Sequence, residues 1–219
     1  MKVVIFGNKK LASLAWYVLT HDSPHEVVGF TVDGAYLAEN TLHGLPVVAF
    51  EQVEAHFPPE SIAMIAPLGA RNLSRLREEK HRSGKAKGYR FISYVSSRAV
   101  TWPDLSMGEN CMLYEASIVQ PFARLGDGVT LRAGANVSHH VKIGDNCFFA
   151  GDACIGGAVN IGERCFLGLN STVRNGVTIA ARCFIAAGAV VTADTKENGL
   201  YVGVPAKQRP GPADGITTF

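Results

Sequence analysis

Residues 107–191 read MGENCMLYEASIVQPFARLGDGVTLRAGANVSHHVKIGDNCFFAGDACIGGAVNIGERCFLGLNSTVRNGVTIAARCFIAAGAVV. Every sixth residue is apolar, in unbroken phase: Met107, Leu113, Val119, Leu125, Leu131, Val137, Ile143, Phe149, Ile155, Ile161, Leu167, Val173, Ile179, Ile185 and Val191. No α-helix or ordinary strand repeats every six, so the period signals a coil with three flat faces whose turns stack on one another. Two residues before each of these, from Cys111 onward, only small residues or Val occur, Ser117, Ala123, Val129 and Ala135 among them. Residues i and i+2 of a strand point to the same side, so each face sends one large and one small side chain into a narrow prism. Three hexapeptides make one 18-residue coil, and fifteen make five coils. Glycine often follows the large residue (Gly108, Gly126, Gly144, Gly156, Gly162, Gly168), where a sharp corner is expected to need backbone freedom.

The 219 residues, 47% hydrophobic, suit two domains better than one. A formal charge of +2, from scattered mixed signs, leaves no basic tract for nucleic acid. Four of the five cysteines (Cys111, Cys147, Cys165, Cys183) occupy the small inward position and read as buried fillers. Cys154 falls out of that register, and the odd count suits a reducing cytoplasm. Lys9 and Lys10 interrupt the first apolar run too early for a signal peptide, and no apolar run reaches membrane-spanning length. A cytoplasmic location and no membrane partner are expected.

Residues 1–95 read differently. Lys2 to Phe6 is a short apolar strand ending at Gly7, Leu11 to Leu19 has helical spacing, and Glu26 to Val32 is a second strand closing on Asp33. A short strand at Pro46 to Val48, a helix from Glu51 to His56, a strand from Ile62 to Ala66, a charged helix from Asn72 to Arg82 and a last strand from Arg90 to Tyr94 follow. Alternation of this kind implies a parallel sheet with flanking helices, a small Rossmann-like domain. Its first turn, Gly7-Asn8-Lys9-Lys10-Leu11-Ala12, has only the first of the three dinucleotide-fingerprint glycines, which argues against an NAD site. An anion suits the helix N-terminus and two lysines there, a solvated turn being the alternative. The expected domains are thus 1–95, a repeat domain over 96–210, and a mobile tail over 211–219.

Unbroken hexapeptides closed by Gly203-Val204-Pro205-Ala206-Lys207 resemble the left-handed β-helix acyltransferases, which use acetyl-CoA or acyl carrier protein. With its front domain, the chain up to about Lys207 resembles the branch that N-acetylates nucleotide-linked amino sugars, the sialic acid O-acetyltransferase-like family. The resemblance implies acetyl-CoA as co-substrate, a nucleotide-linked amino sugar as acceptor, a homotrimer, and no metal. It also implies a general-base histidine at a coil corner, commonly followed by an acidic partner. Only His139 and His140 of the seven histidines lie in the repeat, at one corner, so His139 falls on the base position and His140 where the carboxylate would be. A carboxylate would orient and stabilise the imidazolium, whereas a second neutral imidazole only orients it. Either His139 recruits a carboxylate from elsewhere or His140 is the base.

One coil above stand Gly156 and Gly157, where a cofactor meets backbone and an N–H has the height to hold a thioester carbonyl, or where glycines merely serve a tight corner. The resemblance implies a pantetheine arm in a groove between neighbouring β-helices, with Gly168, Asn170 and Ala187 at fitting heights and Lys207 near a CoA phosphate, a surface lysine being the alternative there. No insertion breaks the fifteen repeats, so acceptor recognition falls to the front domain: Asn8, Lys9 and Lys10 near a pyrophosphate, Asp33 on a ribose or base, and Arg71 in the crevice at the strands' carboxyl ends. Competing readings are a zinc carbonic anhydrase of the γ class, disfavoured by the lack of a third histidine in the repeat, a non-catalytic trimeric scaffold, and O-acetylation of a sugar hydroxyl.

Overall fold

The computed structural model describes residues 1–213. The front part runs β1 (Lys2–Phe6), α1 (Lys10–His21), β2 (Glu26–Val32), β3 (Thr41–Leu42), β4 (Leu45–Ala49), α2 (Val53–His56), β5 (Ile62–Ile65) and α3 (Arg75–Ala86). The strands form one sheet in the order β3-β4-β2-β1-β5. β1, β2, β4 and β5 are parallel and β3 pairs antiparallel with β4. Val3, Val4 and Ile5 are fully buried because the sheet is covered on both faces.

Several expected elements shift. The helix expected from Asn72 begins at Arg75, because Asn72, Leu73 and Ser74 form a left-handed turn at φ 50°, 49° and 61°. Packing sets this turn: Leu73 is buried with Ala70, Phe166 and Phe184 against the coil. The helix expected over Glu51 to His56 divides into a 3-10 turn, Phe50–Gln52, and α2. The strand expected over Arg90 to Tyr94 shrinks to a bridge from Phe91 to Met64, after which β6 (Tyr94–Val95) pairs with Met112–Leu113 of the first full coil. The linker thus leaves one sheet and joins another within three residues.

From Ser106 to Val191 the chain is the three-faced coil, each hexapeptide giving a two-residue strand that pairs in parallel with the strand eighteen residues on. The front face carries Met112, Thr130, Phe148, Phe166 and Phe184, the second face Asn136, Cys154 and Thr172, and the third Arg124, Lys142 and Asn160. The large and small residues of the repeat form one continuous core. Cys111, Cys147, Cys165 and Cys183 are buried in it and Cys154 is exposed. Their thiols also cap corner carbonyls, Cys147 donating to Gly162 O at 3.1 Å and Cys165 to Ala180 O at 3.1 Å.

The corners correct the reading of the glycines. Gly108, Gly126, Gly144, Gly156, Gly162 and Gly168 are absent from the positive-φ residues. Their Cβ would collide with the next coil, as at Gly168, where it would lie 2.5 Å from Ala187 N. Left-handed backbone falls two residues later, at fourteen positions from Asn110 to Gly188 spaced by six, ten of them not glycine.

The front part of the chain sits on the front face of the coil. Arg77 of α3 is 1% exposed and donates to Ser74 Oγ at 2.6 Å, Thr130 Oγ1 at 2.8 Å and Asn146 O at 2.8 Å. Burial lowers its pKa to about 10. Asp22, after α1, accepts from Tyr94 Oη at 2.7 Å, Ser96 Oγ at 2.8 Å and Ser97 N at 3.0 Å. The far end closes with Gly199–Val202 pairing antiparallel with Lys207–Pro212. Gly211 and Pro212 therefore belong to a strand and Ala213 is fully buried, so the tail expected from residue 211 does not begin there; residues 214–219 lie outside the described residues. No helix among the described residues is long and apolar enough to cross a membrane.

Candidate active site

The carboxyl ends of β1, β2 and β5 open into a crevice of about 1080 Å³. Asn8, Lys9, Lys10, Asp33 and Arg71, far apart in sequence, all line it. Gly7 turns the chain at φ 121°, and its N–H donates to Thr31 O at 2.7 Å, bringing the β1 turn beside β2. Asn8 Nδ2 donates to Tyr36 O at 3.0 Å, which ties the turn to the loop after β2. Lys9 caps α1 without a side-chain bond, and the first turn holds no acidic residue. Its unpaired N–H groups and the lysines make a basic end.

Asp33 is not a free carboxylate: Lys80 Nζ of α3 lies 2.7 Å from its Oδ1. Lys80 is itself held 5.5 Å from the ring centroids of Phe6 and Phe50. Nothing in the charged helix pattern distinguished Lys80 from its solvated neighbours; only the fold turns it into the crevice. Tyr36, also unforeseen, lines the same crevice.

Leu11 is shared with a second groove, about 590 Å³, along the edge between the front and second faces. Gly168 and Ala187 line it with Arg132, Phe148, Phe166 and Leu169. Phe166 stacks on Phe148 and on Phe184 at centroid distances of 5.8 and 4.6 Å. Arg132 lies 4.3 Å over the Tyr114 ring. Asn170 occupies the left-handed slot of this edge at φ 54°, and Lys207 opens the last strand; neither lines the groove.

His139, His140, Gly156 and Gly157 stand on a different edge, between the second and third faces. His139 Nδ1 is 3.2 Å from His140 Nδ1, and the rings meet edge to face at 84°. His140 takes the left-handed slot at φ 59°, with its N–H on Pro121 O at 3.3 Å and its ring 4.7 Å from that of Phe122. The ring of His139 lies on Gly157, where a Cβ would come within 2.6 Å of Cε1 and 2.8 Å of Nε2. Among the described residues no carboxylate bonds to either ring. The N–H expected at this height for a thioester carbonyl is engaged: Gly156 N binds Val173 O, Gly157 N binds Asn175 Oδ1 at 3.0 Å, and Ala158 N binds His139 O. Within one chain, a face six residues wide, roughly 20 Å of extended backbone, separates the histidine edge from the groove.

Residues 122–157 match the family described as bacterial transferase hexapeptide (six repeats), and residues 158–193 the hexapeptide repeat of succinyl-transferase. No curated protein matches the chain by sequence. Among solved structures it is similar to PerB from Caulobacter crescentus in complex with CoA and GDP-perosamine, at 26% identity and a TM-score of 0.86, covering 95% of this chain and 97% of that one. The acetyltransferase domain of PglB from Neisseria gonorrhoeae FA1090 (22%, TM-score 0.83, 95% and 99% covered) and WeeI from Acinetobacter baumannii AYE (20%, TM-score 0.80, 95% and 100% covered) share the fold. Repeat, prism and likenesses define the fold: the chain is a hexapeptide-repeat β-helix, similar to acyltransferases built on that repeat. The likeness to PerB takes in the front part of the chain as well as the coil.

Proposed function

We propose that the enzyme is an acetyl-CoA-dependent N-acetyltransferase acting on the amino group of a nucleotide-linked amino-deoxysugar. The observation that carries this is the convergence of Asn8, Lys9, Lys10, Asp33 and Arg71 on one crevice opening beside the coil, in a chain similar to a protein solved with CoA and GDP-perosamine. The front domain is then a Rossmann-like nucleotide-sugar domain. Its basic helix end takes the pyrophosphate, and Asp33, oriented by Lys80, takes a ribose or base donor.

His139 is the general base. It removes a proton from the amine as the nitrogen attacks the thioester carbonyl; the carbon–sulfur bond breaks and the thiolate leaves with the electron pair. Since the histidine edge lies a full face away from the groove, the site is completed between copies, the histidine edge of one against the groove of the next in a homotrimer. The pantetheine arm runs past Gly156, Gly157, Gly168, Asn170 and Ala187, with Lys207 near a CoA phosphate. Five free thiols fit a cytoplasmic setting.

The test is turnover of acetyl-CoA with GDP-, UDP- and dTDP-linked amino sugars, with the product's acetyl linkage assigned by NMR. An amide product from one of them is expected. No turnover with any, an ester product, or full activity in both His139→Asn and His140→Asn, overturns the reading, and a monomer in sedimentation at assay concentration overturns the shared site.

A further inference from the structure

We propose that His140 is a positioning residue that serves His139 as an uncharged hydrogen-bond acceptor, where a carboxylate would otherwise stand. This role rests on His139 being the base and concerns how that base is poised. The two Nδ1 atoms are 3.2 Å apart, so one proton lies between them. A neutral imidazole carries a single N–H, so the ring that donates from Nδ1 has a bare Nε2 and the ring that accepts carries its proton on Nε2. The neutral pair therefore offers one lone pair at an Nε2. An amine donating to His139 Nε2 selects the arrangement in which His139 gives its Nδ1 proton to His140.

His140 is fixed independently of this bond, by the left-handed corner at φ 59°, its N–H on Pro121 O, and the Phe122 ring. The corners packed directly before and after the pair contribute Gln120, Phe122 and Gly157, none charged or titratable; one coil further on, Asn175 stands beside the exposed Arg174. The uncharged acceptor has a consequence a carboxylate lacks. One added proton, with the bridge kept, occupies both Nε2 positions, and the resulting imidazolium has no neighbouring anion to stabilise it. An aspartate at position 140 would supply that anion.

The test measures kcat, KM and the pH profile of kcat/KM in the wild type and four variants. Glycine, asparagine and aspartate all accept the left-handed backbone at position 140. His140→Gly is expected to lose about 10- to 100-fold in kcat with both KM values within about twofold. His140→Asn, whose Oδ1 accepts the same proton, restores most of that loss. His140→Asp shifts the acid limb to higher pH by about one unit. Wild-type kcat in His140→Gly, or an unmoved acid limb in His140→Asp, overturns the proposal while leaving His139 as base. Wild-type kcat in His139→Asn instead removes the base itself, and the two failures are read apart.

Discussion

Gly157→Ala is a substitution of one methyl group that tests the seating of the histidine. The Cβ would stand 2.6 Å from Cε1 of His139, 2.8 Å from Nε2 and 3.3 Å from Nδ1. Ordinary carbon contacts lie at about 3.5–4.0 Å, so the ring must withdraw by about 1 Å. That displacement acts on the Nδ1–Nδ1 bond of 3.2 Å to His140 and on the Nε2 proposed to take the amine's proton. A misplacement of about 1 Å costs about 100-fold in rate, equivalent to about 2.7 kcal/mol of barrier. Gly157 is absent from the positive-φ residues, so alanine fits its backbone and the melting temperature is expected to move little. Steady-state kinetics with saturating acetyl-CoA, alongside a thermal melt, separates the outcomes. A kcat within twofold of wild type refutes the reasoning. So does an early melt with unchanged kcat per folded enzyme, since the glycine then serves only the corner.

Lys80→Met removes the cation that holds Asp33 at 2.7 Å while keeping the apolar stem, and is expected to raise KM for the nucleotide sugar about tenfold with kcat nearly unchanged; an unchanged KM counts against Asp33 as a ligand. Arg77→Met leaves Ser74 Oγ, Thr130 Oγ1 and Asn146 O without their donor and is expected to cost about 3 kcal/mol in urea unfolding. Asp22 is held well below the usual carboxylate range, chiefly by the Ser97 and Tyr94 hydrogen bonds. A depressed folded pKa gives stability that is present above the ordinary carboxylate pKa and lost as pH falls through the folded value. Asp22→Asn is accordingly expected to flatten the loss of stability below about pH 4, read by urea melts at pH 7 and pH 3; an unaltered pH dependence refutes it.

The coil was legible because a narrow prism dictates both size and period at every sixth position, from Met107 to Val191. The crevice was legible too, since the carboxyl ends of parallel strands converge whatever their sequence, and Asp33 and Arg71 follow such ends. Lys80 and Arg77 were not, because a charged helix face says nothing about which of its charges another domain will cover. Leu73 illustrates the same limit: helix propensity lost to burial against Phe166 and Phe184, and the helix began three residues later. At the corners, glycine's small volume rather than its torsional freedom was needed, and a single sequence does not distinguish the two. The histidine edge was placed by counting, but that Gly157 N is already spoken for by Asn175 depends on a side chain one further coil away.

Ten non-glycine residues sit in left-handed corners, each against its own local preference by about 1 kcal/mol. A lone turn of this coil would relax, since only a neighbouring turn's hydrogen bonds hold its bends. Growth of the fold is therefore templated, each turn taking its shape from the one already laid down, as monomers add to a crystal face. β6 pairs with the first full turn at one end, and the antiparallel hairpin of Gly199–Val202 with Lys207–Pro212 covers the last at the other.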